Sequence, residues 1–93
     1  MLVGSSRLHL LISGAVQGVF FRTTARKKAQ ELGLTGYVRN LEDGRVEIFA
    51  EGERSHLAAL AQWCYHGTRA ARVDNVEEEW SDASGEFDGF SIR

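Results

Sequence analysis

Thr35-Gly36-Tyr37-Val38-Arg39-Asn40-Leu41-Glu42-Asp43-Gly44-Arg45-Val46-Glu47-Ile48-Phe49-Ala50 reads as two strands folded back on each other. Tyr37 and Val38 make the run from Thr35 to Asn40 β-prone, and Asp43-Gly44 supplies the positive φ that a tight hairpin turn needs. Beyond the turn Val46, Ile48 and Ala50 alternate with Glu47, Phe49 and Glu51, the two-residue period of a half-buried strand. Outward from this hairpin the pattern is symmetrical. Upstream, Thr23 to Leu32 predicts a helix with Ala25, Ala29 and Leu32 on one face and Gly33 as its stop. Downstream, after Gly52, the residues Leu57, Leu60, Ala61 and Cys64 recur at helical spacing from Glu53 until Gly67, and Trp63 widens that face. Further out lie a strand from Leu8 to Ile12 and another carrying Ala71, Val73, Val76 and Trp80. The alternation of the latter slips by one residue near Asp74-Asn75, as a bulge would cause. Phe90 and Ile92 suit a short closing strand.

The order β-α-β-β-α-β predicts an α+β, ferredoxin-like sandwich: an antiparallel sheet in strand order 4-1-3-2, with room for a short fifth strand, and two helices on one face. No linker, repeat or low-complexity tract divides the chain, so residues 1–93 are expected to form a single domain. In that topology the first and second strands run the same way with the third between them. The loop Gly14 to Arg22 and the end of the second strand at Asn40 then meet at one edge, on the order of 10 Å apart. Thr68 and Arg69, ahead of the fourth strand, border the same place.

Composition removes several function classes. Eleven Lys plus Arg against thirteen Asp plus Glu give a net charge of −2, too little positive field to hold a nucleic-acid backbone or an anionic membrane. One cysteine, Cys64, cannot make an internal disulfide, and His9, His56 and His66 lack metal-ligand spacing, so neither metal nor cofactor is expected. Arg7 and His9 interrupt the apolar N-terminal stretch, so no signal-peptide core is expected, and no run approaches the about 20 apolar residues of a membrane span. The expectation is a cytoplasmic monomer. Glu77-Glu78-Glu79 fits a solvated strand better than a paired-carboxylate site, Cys64 fits a core position, and Trp63, Trp80, Phe87 and Phe90 fit the core. Arg26, Lys27 and Lys28 could draw in an anion or merely solvate a helix face.

The loop Gly14-Ala15-Val16-Gln17-Gly18-Val19-Phe20-Phe21-Arg22 is where chemistry is expected. Its glycines permit a path on which several N–H groups share one concavity, and Arg22 sits where a helix begins, with unpaired N–H groups beside it. All of these donors suit one phosphate. A bare G-x-x-x-G is equally met by glycines that only turn the chain, with Arg22 a solvated helix residue. Asn40 likewise could serve only nearby backbone.

The wider string decides between them. Residues Gly14 to Arg22 closely resemble the first signature of the acylphosphatase family, G-x-V-Q-G-V-x-[FY]-R. Gly36-Tyr37-Val38-Arg39-Asn40, followed by Gly44-Arg45-Val46 and Gly52, resembles that family's second motif. The resemblance implies the βαββαβ fold and hydrolysis of small-molecule acyl phosphates, mixed anhydrides of a carboxylic and phosphoric acid, to carboxylate and inorganic phosphate without a metal. It places the phosphate-binding arginine at Arg22 and the water-orienting asparagine at Asn40. The backbone amides of Ala15, Val16, Gln17, Gly18, Val19, Phe20 and Phe21 become the phosphate cradle. Elementary chemistry agrees: a carboxylate leaving group, with a conjugate-acid pKa near 4, departs at neutral pH without a general acid. Positioning and charge stabilisation then carry the transfer.

Gln17 is expected to brace the loop. Phe20 could offer an apolar surface to the acyl group or pack at the sheet edge. The family's proline ahead of the fourth strand is missing from Gly67-Thr68-Arg69-Ala70-Ala71-Arg72. Two rival readings are a nonenzymatic ferredoxin-like binding module that contacts RNA through its sheet, and an accessory domain of a larger enzyme. The acidic balance and the lack of an RNP1-like aromatic string weigh against the former.

Overall fold

Alternation along the central strands makes one face of the sheet dry and the other wet. In a computed structural model, which describes residues 5–93, the elements are β1 (Ser5–Ala15), α1 (Phe21–Glu31), β2 (Thr35–Asn40), β3 (Val46–Glu53), α2 (Arg54–Cys64), β4 (Arg72–Asp82) and β5 (Phe90–Ile92). The sheet order is β4-β1-β3-β2-β5, so the expected 4-1-3-2 arrangement holds and the short closing strand joins it. β5 lies parallel to β2 while the other pairs are antiparallel, which makes the ferredoxin-like sheet mixed.

Register puts Leu8, Leu10 and Ile12 beside Ala50, Ile48 and Val46, and Val38 beside Ile48. These residues are fully buried and share one core with Phe21, Ala25 and Ala29 of α1 and Leu57, Leu60, Ala61 and Cys64 of α2. Burial pushes the Cys64 thiol far up, so it behaves as the core residue its position suggested. Trp63, Trp80 and Phe90 also belong to this core or pack on it. Phe87 does not: its ring meets Tyr37 at a centroid distance of 6.0 Å. By strand parity Tyr37 faces away from the helices.

Several boundaries differ from the sequence pattern, those of α1 and β1 among them. α1 begins at Phe21 rather than Thr23, because Phe21 stands one turn before Ala25 and contacts the Trp63 ring at 5.0 Å. Its far end closes with hydrogen bonds from Gly33 N to the Gln30 carbonyl and from Leu34 N to the Ala29 carbonyl, a Schellman arrangement. β1 extends well beyond Leu8 to Ile12, since backbone pairing with its neighbours continues where side-chain alternation fades.

The bulge lies where the slipped alternation put it. Ser13 opposes Asn75 and Gly14 opposes Val73, which leaves Asp74 as the extra residue of β4. The distortion brings β4 close to Gly14, where a Cβ would lie 2.1 Å from the Arg72 carbonyl oxygen. Gly14 is thus required by strand packing next to the loop, ahead of any role in shaping the loop itself.

Candidate active site

Strand parity aims Asn40. Gly36 and Val38 face the helices and are buried, so Asn40, two residues on, projects to the same side, while Arg39 points the other way to Glu47. The Asn40 Oδ1 is buried and has no hydrogen-bond partner among the described residues. Such an atom costs stability unless something donates to it.

α1 presents Arg22 from its first turn toward the same place. Between them is a cavity of about 230 Å³ walled by Arg22, Thr23 and Asn40 together with Val16, Gly18, Phe20 and Phe21. That is smaller than the about 300–1,000 Å³ of drug-sized ligand sites and suits a small substrate. Arg22 makes no ion pair among the described residues. Nor does any backbone N–H from Val16 to Phe20 donate to a protein carbonyl there. Gly18 at φ 74° and Phe20 at φ 62° hold the left-handed turns that bend this segment over the start of α1. A guanidinium and a curved row of open amides suit a tetrahedral anion.

The rim is pinned from three sides. Gln17 Nε2 donates to the carbonyls of Leu41 at 2.8 Å and Arg45 at 3.0 Å, which ties the loop to the hairpin immediately after Asn40. Thr68 Oγ1 donates to the Val19 carbonyl at 2.7 Å, so the segment before β4 does border the site. Thr23 Oγ1 donates to the Phe20 carbonyl at 3.2 Å. Of the residues named from the sequence, Val16, Gly18, Phe20, Phe21, Arg22 and Asn40 come together at the cavity. Ala15, Gln17 and Val19 stand outside its lining: Ala15 pairs with Arg72 at the end of β1, and the other two serve the braces just described. Thr23 was missed; a threonine in a first helical turn carries too common a signal to single out.

A larger cavity, about 410 Å³, lies on the helix-free face between Arg7, Tyr37, Phe49, Glu86, Phe87 and Arg93. Its polar groups are mostly matched. Arg7 Nε donates to Glu51 at 2.8 Å and Nη2 to Glu86 at 2.7 Å, while Glu51 also accepts from the N–H groups of Ser84 and Gly85. Burial pushes the Glu51 carboxyl up, but those amides, Arg7 and the Ser84 hydroxyl outweigh it and hold the group below the ordinary carboxylate range. Glu47 is similarly held below that range: burial works against it, and hydrogen bonds from His9 and Arg39 more than compensate.

The Acylphosphatase family model matches residues 8–92, a span that contains both motifs and every residue of the small cavity. The chain belongs to the acylphosphatase family. An acylphosphatase of Roseiflexus sp. (strain RS-1) is 54% identical over 87 residues, 94% of this chain and 94% of that protein. Among solved structures, an acylphosphatase from Coxiella burnetii superposes with a TM-score of 0.91 at 43% identity, covering 98% of this chain and 95% of the other. The acylphosphatase from Bacillus subtilis gives 0.91 at 32% identity, covering 95% and 98%. Family, relatives and fold favour an acylphosphatase over a nonenzymatic ferredoxin-like binding module. No helix among the described residues is long and apolar enough to cross a membrane.

Proposed function

We propose that the small cavity hydrolyses the carboxyl-phosphate bond of acyl phosphates without a metal, with Arg22 and the loop amides holding the phosphoryl group and Asn40 the attacking water. What carries this reading is that one small cavity is lined by a guanidinium and a buried amide oxygen that have no partner among the described residues, beside a loop whose amides are open there. A water donating to Asn40 Oδ1 would satisfy that oxygen and turn a lone pair toward phosphorus. The water oxygen then forms the new P–O bond as the bond to the acyl oxygen breaks, and the bonding pair leaves with the carboxylate. The water's proton passes to a phosphate oxygen of the substrate, so no protein base is required. Negative charge on the equatorial oxygens is met by donors fixed before the reaction begins.

The same reading takes residues 1–93 as one domain, acting as a cytoplasmic monomer on a small-molecule acyl phosphate, with no nucleic-acid or membrane partner. Purified protein should hydrolyse benzoyl phosphate in the presence of EDTA. Arg22→Ala should lower kcat/KM by about a hundredfold or more, the usual effect of removing one preorganised donor, while far-UV circular dichroism stays unchanged. An unchanged rate in that variant overturns the assignment.

A further inference from the structure

Phe20 stands apart from its neighbours. Its side chain is 78% exposed, whereas Val16 and Phe21 on either side are 1% exposed and committed to the core. Of the two alternatives its sequence position left open, packing at the sheet edge is therefore removed. Its backbone, at φ 62° and ψ 20°, is the one non-glycine with positive φ among the described residues. Every residue with a Cβ is disfavoured there, and glycine would occupy it more easily. Fold stability explains neither the exposed ring nor the strained backbone under it. Such strain, where it persists, tends to sit where a side chain has to be aimed.

The cavity supplies the missing reason. Its lining combines Asn40, at the end of β2, with residues that all belong to the segment between Val16 and Thr23. In-line displacement sends the leaving oxygen away from the attacking water. With the water held by Asn40, the acyl group leaves away from Asn40, and every other residue of the lining belongs to the segment from Val16 to Thr23. Val16 and Phe21 have no surface left to offer, so Phe20 is the apolar side chain that can meet it. We propose that Phe20 is a specificity-determining residue, whose exposed ring seats the acyl group and selects acyl phosphates with aromatic or other large apolar acyl groups over small ones. This rests on the acyl phosphate reading of the cavity and adds the class of acyl group to it.

The test compares kcat/KM for benzoyl phosphate with that for acetyl phosphate in the wild-type protein, Phe20→Ala, Phe20→Gly and Phe20→Tyr. The ratio is the readout, because any change a substitution makes to phosphate binding enters both substrates and divides out. The wild-type ratio should favour benzoyl phosphate and fall about tenfold in Phe20→Ala and in Phe20→Gly, mainly through KM, as expected for loss of one ring-to-ring contact. Phe20→Tyr, which keeps the ring, should stay within about twofold of wild type. Phe20→Gly matters because it relieves the backbone strain while removing the ring, so the two effects separate. A ratio unchanged in both Phe20→Ala and Phe20→Gly, with both substrates still hydrolysed, overturns this proposal alone. Failure of the wild-type protein to hydrolyse either substrate overturns it together with the reading beneath it.

Discussion

The two faces of the sheet treat polar groups in opposite ways. On the helix-free face carboxylates and cations are matched: Glu51 gathers Arg7, Ser84 and Gly85, and Glu47 bridges His9 and Arg39. At the edge of the helix-covered face, among the described residues, Arg22 has no ion pair, Asn40 keeps an acceptor without a donor, and the loop amides remain open. The helix-free face has the larger cavity, yet its polar groups have already been used to hold the fold. Unsatisfied donors and acceptors, rather than volume, mark the place that the proposed function gives to the substrate. Matched ones mark where stability resides.

Arg22 and Glu51 break or confirm this contrast most directly. Arg22→Ala should cost about a hundredfold or more in acyl phosphate turnover, with a thermal midpoint close to that of wild type. Arg22→Lys should recover only part of the loss, since a point charge lacks the paired planar donors. Glu51→Ala should do the reverse, costing about 2–3 kcal/mol of stability by leaving Arg7 and two amides without their acceptor. For a domain of this size that lowers Tm by about 10–20 °C. Its kcat/KM at 25 °C should stay within about threefold of wild type, because the two sites share no side chain. Turnover collapsing in Glu51→Ala while the protein remains folded would dissolve the distinction between the faces.

Gln17 connects the loop to the strand end and sharpens the comparison further. Gln17→Ala should lower kcat about five- to tenfold, with a smaller change in inhibition by inorganic phosphate, because it releases the hairpin beside Asn40 rather than the anion donors. Equal losses in both would show that Gln17 shapes the cradle itself. The smallest effect concerns pH. Glu47 and Glu51 titrate below their unfolded values, so the stability they add is present above the unfolded carboxylate pKa and lost as pH falls through the folded one. Urea midpoints measured from pH 6 to pH 3 should fall, and less steeply in Glu51→Gln than in wild type.

Much of this was legible in the chain. The hairpin announced itself through Asp43-Gly44 between alternating runs, and the bulge through a slipped alternation at Asp74-Asn75. Arg22 and Asn40 could be brought together on paper because strand order fixes which ends share an edge. The open face was less legible. Alternation assigns Glu47 and Glu51 to the wet side of β3, yet they are 7% and 4% exposed. The segment after β4 brings the amides of Ser84 and Gly85 onto Glu51, and no local period predicts that contact. Phe87 left the expected core for the same reason, its ring joining Tyr37 on that face.

The sequence by itself determined the order of elements, the apolar stripe of each helix and the two motifs that carry Arg22 and Asn40. These follow from local rules, namely period, turn chemistry and short-range spacing. Tertiary structure alone decided which polar groups are satisfied and which stay open. It decided that Gly14 answers to a bulge in β4, that Gln17 reaches the hairpin carbonyls, and that Phe20 stays exposed while Phe21 is buried. Each of these depends on distances between segments far apart in the chain, which only the packed sheet and helices establish.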